Sequence, residues 1–214
     1  MEIMQQYIRE PTEIYKKSFD TISSEVDLTG YNDQEKKIVT RIIHSCGDVS
    51  IAEDIFISEN AIESGISAMK LGEKIYVDSK MVAAGIIEKN IKLSRIYCHI
   101  GDEDVVGIAK KLNTTRSAAA VEHWKEGMSN SILVVGNAPT ALFRVLEIIN
   151  EYNIKPSLVI GMPLGFVGAV EAKEELINFY QSTGLNIITI RGRRGGSAMA
   201  SATINAISLL IDDK

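Results

Sequence analysis

Ile132-Leu133-Val134-Val135-Gly136-Asn137-Ala138-Pro139-Thr140 decides the fold class. Consecutive aliphatic residues without polar alternation suit a strand covered on both faces, as in a parallel sheet. Gly136 permits a tight turn, and Pro139 stands where proline is tolerated, at a helix start. A buried strand running straight into a helix is half of a βαβ unit. The pattern recurs. Ile- and Val-rich runs at 75–77, 95–100, 157–161 and 187–190 predict further strands. Helical spacing over 12–25, 33–44, 58–72, 115–126, 140–151, 171–180 and 198–210 predicts helices, with a capping signal at Asn32 and Asp33 and a stop at Gly72. Strands alternating with helices indicate an α/β fold, a mainly parallel sheet between helix layers.

Residues 1–72 read as mostly helical. No Pro/Gly/Ser-rich linker separates them from the rest of the chain. They are therefore expected to pack on the sheet, within a single domain over 1–214.

At 214 residues and 45% hydrophobic content, the chain can bury one substantial core. A net charge of −5 argues against nucleic acid as a partner, because such binders carry a basic surplus or stripe. It leaves room for an anionic ligand held by a few placed arginines. Cys46 and Cys98 are too few for a disulfide framework, so a reduced, cytoplasmic chain is expected. No apolar run reaches the length of a signal peptide or a membrane span.

In open α/β sheets ligands bind beyond the carboxyl ends of the strands. Three predicted strand-end loops stand out. Asn137 to Thr140 opens a helix whose free N–H groups suit a carboxylate or phosphate. A plain capped turn is the simpler reading of that loop. Met162-Pro163-Leu164-Gly165-Phe166-Val167-Gly168 is apolar where loops are usually polar. It suits a flat apolar ligand face or a subunit contact, or else burial by its own domain. Arg191-Gly192-Arg193-Arg194-Gly195-Gly196-Ser197 places arginines among glycines before a helix. Glycine lets the backbone approach a ligand closely, and arginine clamps carboxylates in bidentate fashion. Neither a P-loop nor a GxGxxG fingerprint is present, so a nucleotide-binding reading lacks its motif.

Arg116 falls in the first turn of a predicted helix, where a cation opposes the helix dipole and calls for an anionic partner. His44 ends another predicted helix, three residues after Arg41 and on the same face. An imidazole there can give or take a proton near neutral pH. Taken alone, a helical histidine is more often structural. Zinc is not expected, since partner ligands for His44 and Cys46 are absent nearby. His99 reads as a core or rim residue, and His123 as a helix-surface one.

Together these segments resemble the precorrin-8X methylmutase family, which includes the cobalt-precorrin-8 methylmutases. The matching stretches are Tyr7-Ile8-Arg9 with Ile14-Tyr15 and Ser18-Phe19, Arg41 to Gly47, and Asp78 with Met81 to Gly85. They continue through Asn113 to Ala120, Gly136 to Leu142, Gly161 to Ala169 and Arg191 to Met199, in the family's order. The resemblance implies a flavodoxin-like fold and a homodimer. It implies an isomerase that shifts a methyl group from C-11 to C-12 of a corrin precursor, a tetrapyrrole polycarboxylate, without an external cofactor. It makes His44 the catalytic acid, with Ser18 and Arg41 touching substrate. Arg116, Asn137, Thr140, Arg191, Arg193, Gly195, Gly196 and Ser197 lie in matching segments and are inferred to bind the acidic arms. The substrate is expected to carry cobalt; the metal-free precursor and a non-catalytic corrinoid carrier are the alternatives.

Overall fold

The computed structural model describes residues 7–211, so the outer ends of the predicted 1–214 domain lie outside it. In chain order the elements are α1 (Pro11–Glu25), α2 (Asp33–Cys46), β1 (Ile55–Ile57), α3 (Ala61–Lys70), β2 (Ile75–Val77), α4 (Lys80–Gly85), β3 (Ile96–Tyr97), α5 (Val105–Lys111), α6 (Arg116–Val121), β4 (Ile132–Val135), α7 (Pro139–Tyr152), β5 (Leu158–Gly161), α8 (Ala169–Thr183), β6 (Ile187–Ile190) and α9 (Ser197–Leu209).

The sheet runs β1-β6-β5-β4-β2-β3. Strands β2 to β6 are all parallel, and their order is that of flavodoxin. The chain reverses direction across the sheet between β2 and β4, which opens a crevice at their carboxyl ends. Alternate residues of each strand feed opposite faces. Ile132 and Val134 join a core with α1, α2, α3, α4 and α9; Leu133 and Val135 join one with α7 and α8. These two covered faces explain why the strands read as unbroken apolar runs. Among the described residues no helix is long and apolar enough to cross a membrane.

Several predicted boundaries change. β1, inside the segment read as helical, pairs antiparallel with β6, Ile55 opposite Ile190. A three-residue edge strand has too little periodicity to announce itself. β3 is shorter than 95–100, because the chain turns at His99, whose carbonyl accepts the Asp102 N–H at 3.1 Å. The predicted 115–126 helix splits into α6 and a 3-10 turn at Glu122–Gly127. α4 and α5 are too short to show a clear period in the sequence.

Candidate functional site

α2 starts with a capping box between Asn32 and Glu35 and ends at Gly47, in the left-handed region at φ 67°. Its stripe of Ile38, Val39, Ile42 and Ile43 is buried. Arg41 and His44 emerge on the flank that meets α1. The Ser18 hydroxyl lies 2.8 Å from His44 Nδ1 and fixes the ring's orientation. Phe19 packs edge-on against the imidazole, with ring centroids 5.5 Å apart, and Tyr15 lies at the same distance. The Arg41 guanidinium sits over the Phe19 ring at 5.7 Å.

Ser18, Arg41 and His44 thus gather on one seam, but they do not share one cavity. His44 and Ser18 line a hollow of about 390 Å³ with Ile14, Ile22, Ile43 and Val49. Arg41 lines another, of about 540 Å³, with Leu28, Thr40 and Leu210. The Phe19 ring contacts both side chains. Three residues along a helix leave an angular offset of roughly 60°, enough for two side chains to straddle a ring.

Asp78 follows β2 and is 2% exposed. Its carboxylate accepts the N–H groups of Gly136 (3.0 Å), Asn137 (2.9 Å) and Ala138 (2.8 Å). Burial pushes its carboxyl pKa up, and the three amides oppose that rise. Asp78 thereby ties together the ends of β2 and β4, the two walls of the crevice. Gly136 lies in the bend that follows β4, as expected, and it also serves close packing. A Cβ there would come within 2.7 Å of Val82 and 2.8 Å of Ala200.

Asn137 and Thr140 are exposed on this loop. The Thr140 hydroxyl meets that of Thr115 at 2.8 Å, and Thr115 caps α6, placing the exposed Arg116 beside them. Ser197 meets Ser79, next to Asp78, at 3.3 Å between hydroxyls. Residues far apart in the chain therefore converge at the crevice.

The arginine loop after β6 is laced to the apolar loop after β5. Gly196 N–H donates to Met162 O at 2.7 Å, and Gly165 N–H to Arg193 O at 3.2 Å. Gly195 has φ 154°, and a Cβ there would lie 2.5 Å from Met162 O. The three arginines of the loop have different partners. Arg194 donates to Asp48 (2.7 Å), Asp54 (2.5 Å) and the Ser50 hydroxyl (2.6 Å). Arg191 donates to both carboxylate oxygens of Glu174, at 3.2 and 3.0 Å. Arg193 lies over Phe166, 5.4 Å from its centroid. Neither Arg193 nor Arg116 forms an ion pair among the described residues. Leu164, Phe166 and Val167 are exposed at the tip of the apolar loop, so burial by the chain's own domain does not account for it.

Beneath this loop Lys173 is completely buried and donates to Arg194 O at 2.6 Å. Burial lowers its pKa from 10.5 to about 8. The folded chain therefore releases this proton before the unfolded chain does. Stability should rise as pH climbs from about 8 toward 10.5, by up to about 3 kcal/mol. Lys173→Met should remove that part of the slope. Denaturant unfolding of both proteins on either side of this window measures it.

α7, α8 and α9 follow neighbouring parallel strands and start along the same sheet edge. None has a side-chain N-cap; Ala138, Gly168 and Gly196 occupy the cap positions. The first N–H groups of α8 and α9 are thus available to anions; in α7 Pro139 has none and Ala141 N–H donates to Ala138 O, which leaves that of Thr140. Asp48 links the two halves. It lies between Gly47 and Val49, which line the His44 hollow, and it holds Arg194 of the strand-end loop. Sequence reasoning does not single out Asp48, Asp78 or Lys173 as functional. For Asp78, an acid directly after an apolar strand is the usable signal; Lys173 looks like any helical lysine.

The sequence pattern of the precorrin-8X methylmutase family matches residues 13–210. The precorrin-8X methylmutase of Pseudomonas aeruginosa is 43% identical over 203 residues, covering 94% of this chain and 97% of that protein. The cobalt-precorrin-8 methylmutase of Priestia megaterium is 38% identical over 205 residues, covering 95% of this chain and 89% of that protein. The crystal structure of the precorrin-8X methyl mutase from Thermus thermophilus is similar with a TM-score of 0.83 at 31% identity, covering 94% of this chain and 98% of that one.

Proposed function

This chain belongs to the precorrin-8X methylmutase family, isomerases of cobalamin biosynthesis, and from that premise we propose that His44 is the acid of a methyl migration on a tetrapyrrole. The C-11–methyl bond breaks and the C-12–methyl bond forms in a [1,5]-sigmatropic shift, while the ring double bonds relocate. Substrate and product are isomers, so no electrons or groups are exchanged with a cofactor. A proton from His44 makes the conjugated system electron-poor and returns to the imidazole afterward. Ser18 holds the ring in orientation as it does so.

The observation that carries this reading is the Asp48–Arg194 bond, which ties the wall of the His44 hollow to the strand-end loop. A hollow of about 390 Å³ is at the small end for ligand sites and receives one part of a macrocycle. The acidic arms then extend to Arg193, Arg116 and the uncapped helix starts beside Asn137, Thr140, Gly195, Gly196 and Ser197. Arg194, saturated by protein carboxylates, shapes the loop. Arg191 reaches an arm by exchanging with Glu174; an ion pair this exposed is weak enough to exchange. Arg41 contributes from the neighbouring hollow. The exposed Leu164, Phe166 and Val167 suit a homodimer contact, and the unpaired cysteines suit the cytoplasm.

Incubating the pure protein separately with cobalt-precorrin-8 and with metal-free precorrin-8X tests the activity and the substrate together. Turnover changes the chromophore and yields an isomer of unchanged mass. Stoichiometric binding of both without isomerisation would instead mark a carrier. Arg193→Ala should raise KM about tenfold and leave kcat within about twofold, because it removes a bidentate arm contact remote from the migrating methyl. A fall in kcat at unchanged KM would count against the arm-binding role.

A further inference from the structure

The open edge of the sheet carries another cluster of titratable side chains. After β3 the chain turns sharply, with Asp102 N–H donating to His99 O at 3.1 Å and Val105 N–H to Asp102 O at 3.2 Å. That turn lays Asp102 Oδ2 2.6 Å from His99 Nδ1. The 3-10 turn at Glu122–Gly127 brings His123 alongside, its ring centroid 5.2 Å from that of His99. One ligand atom from each of His99, Asp102 and His123 lies within 4.8 Å of the others. Asp104 supports the far side, with Oδ1 3.1 Å from His123 Nε2.

We propose that His99, Asp102 and His123 bind a divalent transition metal of the zinc class, with Asp104 orienting His123. Imidazole nitrogen with carboxylate oxygen is a borderline donor set, suited to zinc and its neighbours rather than to magnesium or calcium. Metal–nitrogen bonds of about 2.0–2.1 Å place tetrahedral ligands about 3.4 Å apart, so the 2.6 Å His99–Asp102 contact opens by less than about 1 Å while His123 moves in. With Asp104 on Nε2, His123 offers Nδ1 to the metal, and the Asp104 contact is then the carboxylate support that metal-bound imidazoles commonly use.

The cluster stands on an ordered wall. His99 is nearly parallel to Tyr97, at 12° and 6.4 Å, and faces Tyr76 at 6.2 Å. Tyr76 in turn stacks on Trp124 at 5.5 Å, and both are buried. Trp124 adjoins His123 in the chain, so one aromatic stack anchors the backbone on both sides of the cluster. Side-chain exposures of 24% for His99, 42% for Asp102 and 27% for His123 leave the donors reachable from solvent. β3 is the edge strand opposite β1, and none of these residues lines the His44 hollow. A bound ion would clamp the turn after β3 to the turn at 122–127.

The test is isothermal titration of the full, tag-free, chelator-treated chain with Zn²⁺ alone, with each protein's fold checked by circular dichroism. The expected result is one ion per chain with a Kd of about 10 µM or tighter. His123→Asn and His99→Gln should each weaken binding at least tenfold. His44→Ala should bind as the wild type does. At a hundredfold excess over Kd, Zn²⁺ should also raise the wild-type Tm by about 5 °C or more, and not that of His123→Asn. If wild type binds no tighter than about 100 µM, or both folded variants bind like wild type, the cluster is only two surface His–Asp pairs and the proposal is overturned. Should one variant fail to fold, the other decides.

Discussion

His44→Ala should lower kcat by about 10²–10⁴-fold while leaving substrate affinity within a few-fold. That range is what a positioned general acid usually contributes. The separation of kcat from KM rests on geometry. The imidazole lines a small hollow on the α1–α2 seam, whereas the arm-binding groups are assigned to the strand-end loops. Removing the ring deletes the proton donor without removing those grips. Single-turnover mixing, followed by the change in chromophore, isolates the chemical step from product release. Turnover at the wild-type rate would remove His44 from the chemistry. A loss of affinity with normal turnover would make it a binding group instead. Ser18→Ala should have a smaller effect, about tenfold, because it loosens the ring's orientation but keeps the acid.

Asp78→Ala should destabilise the fold by about 3 kcal/mol or more. Three backbone donors converge on this carboxylate. A buried donor left without a partner costs about 1–3 kcal/mol. For a domain of this size that corresponds to a fall in Tm of about 6–12 °C. Asp78→Asn separates the contributions. Its single carbonyl oxygen can keep the two amides that meet Oδ2, those of Asn137 and Ala138, but its NH₂ then faces the Gly136 N–H. An intermediate loss of about 1–3 kcal/mol is expected. Thermal and denaturant unfolding of the three proteins measures the series. Alanine and wild type with equal stability would mean that water replaces the carboxylate and that the crevice needs no tether. Both variants should also raise KM, since Asn137 and Thr140 ride on the tethered loop.

Much of this molecule is local in origin, and that part is legible from sequence. Residues 132–140 show a doubly covered strand entering a helix at Pro139, and the structure has β4 and α7 there. Asn32, read with Asp33 as a capping signal, is the N-cap of α2, because capping chemistry acts within one helical turn. The glycine and arginine loops lie where the sequence puts them, at strand ends, because strands end where apolar runs end. β1 escapes because three residues carry no period, and only the β6 ladder makes them a strand.

Composition, apolar runs and caps thus determined the α/β class, the succession of most elements and the position of the strand-end loops. Tertiary structure alone decided how those loops are used. It set Ser18 against His44, separated Arg41 from His44 by the Phe19 ring, committed Arg194 to Asp48 and Asp54, and drew His99 toward His123. The reason is range. Caps and side-chain periods act over a few residues, whereas a partner for a charge or an imidazole is chosen by which surfaces pack together, often more than a hundred residues apart.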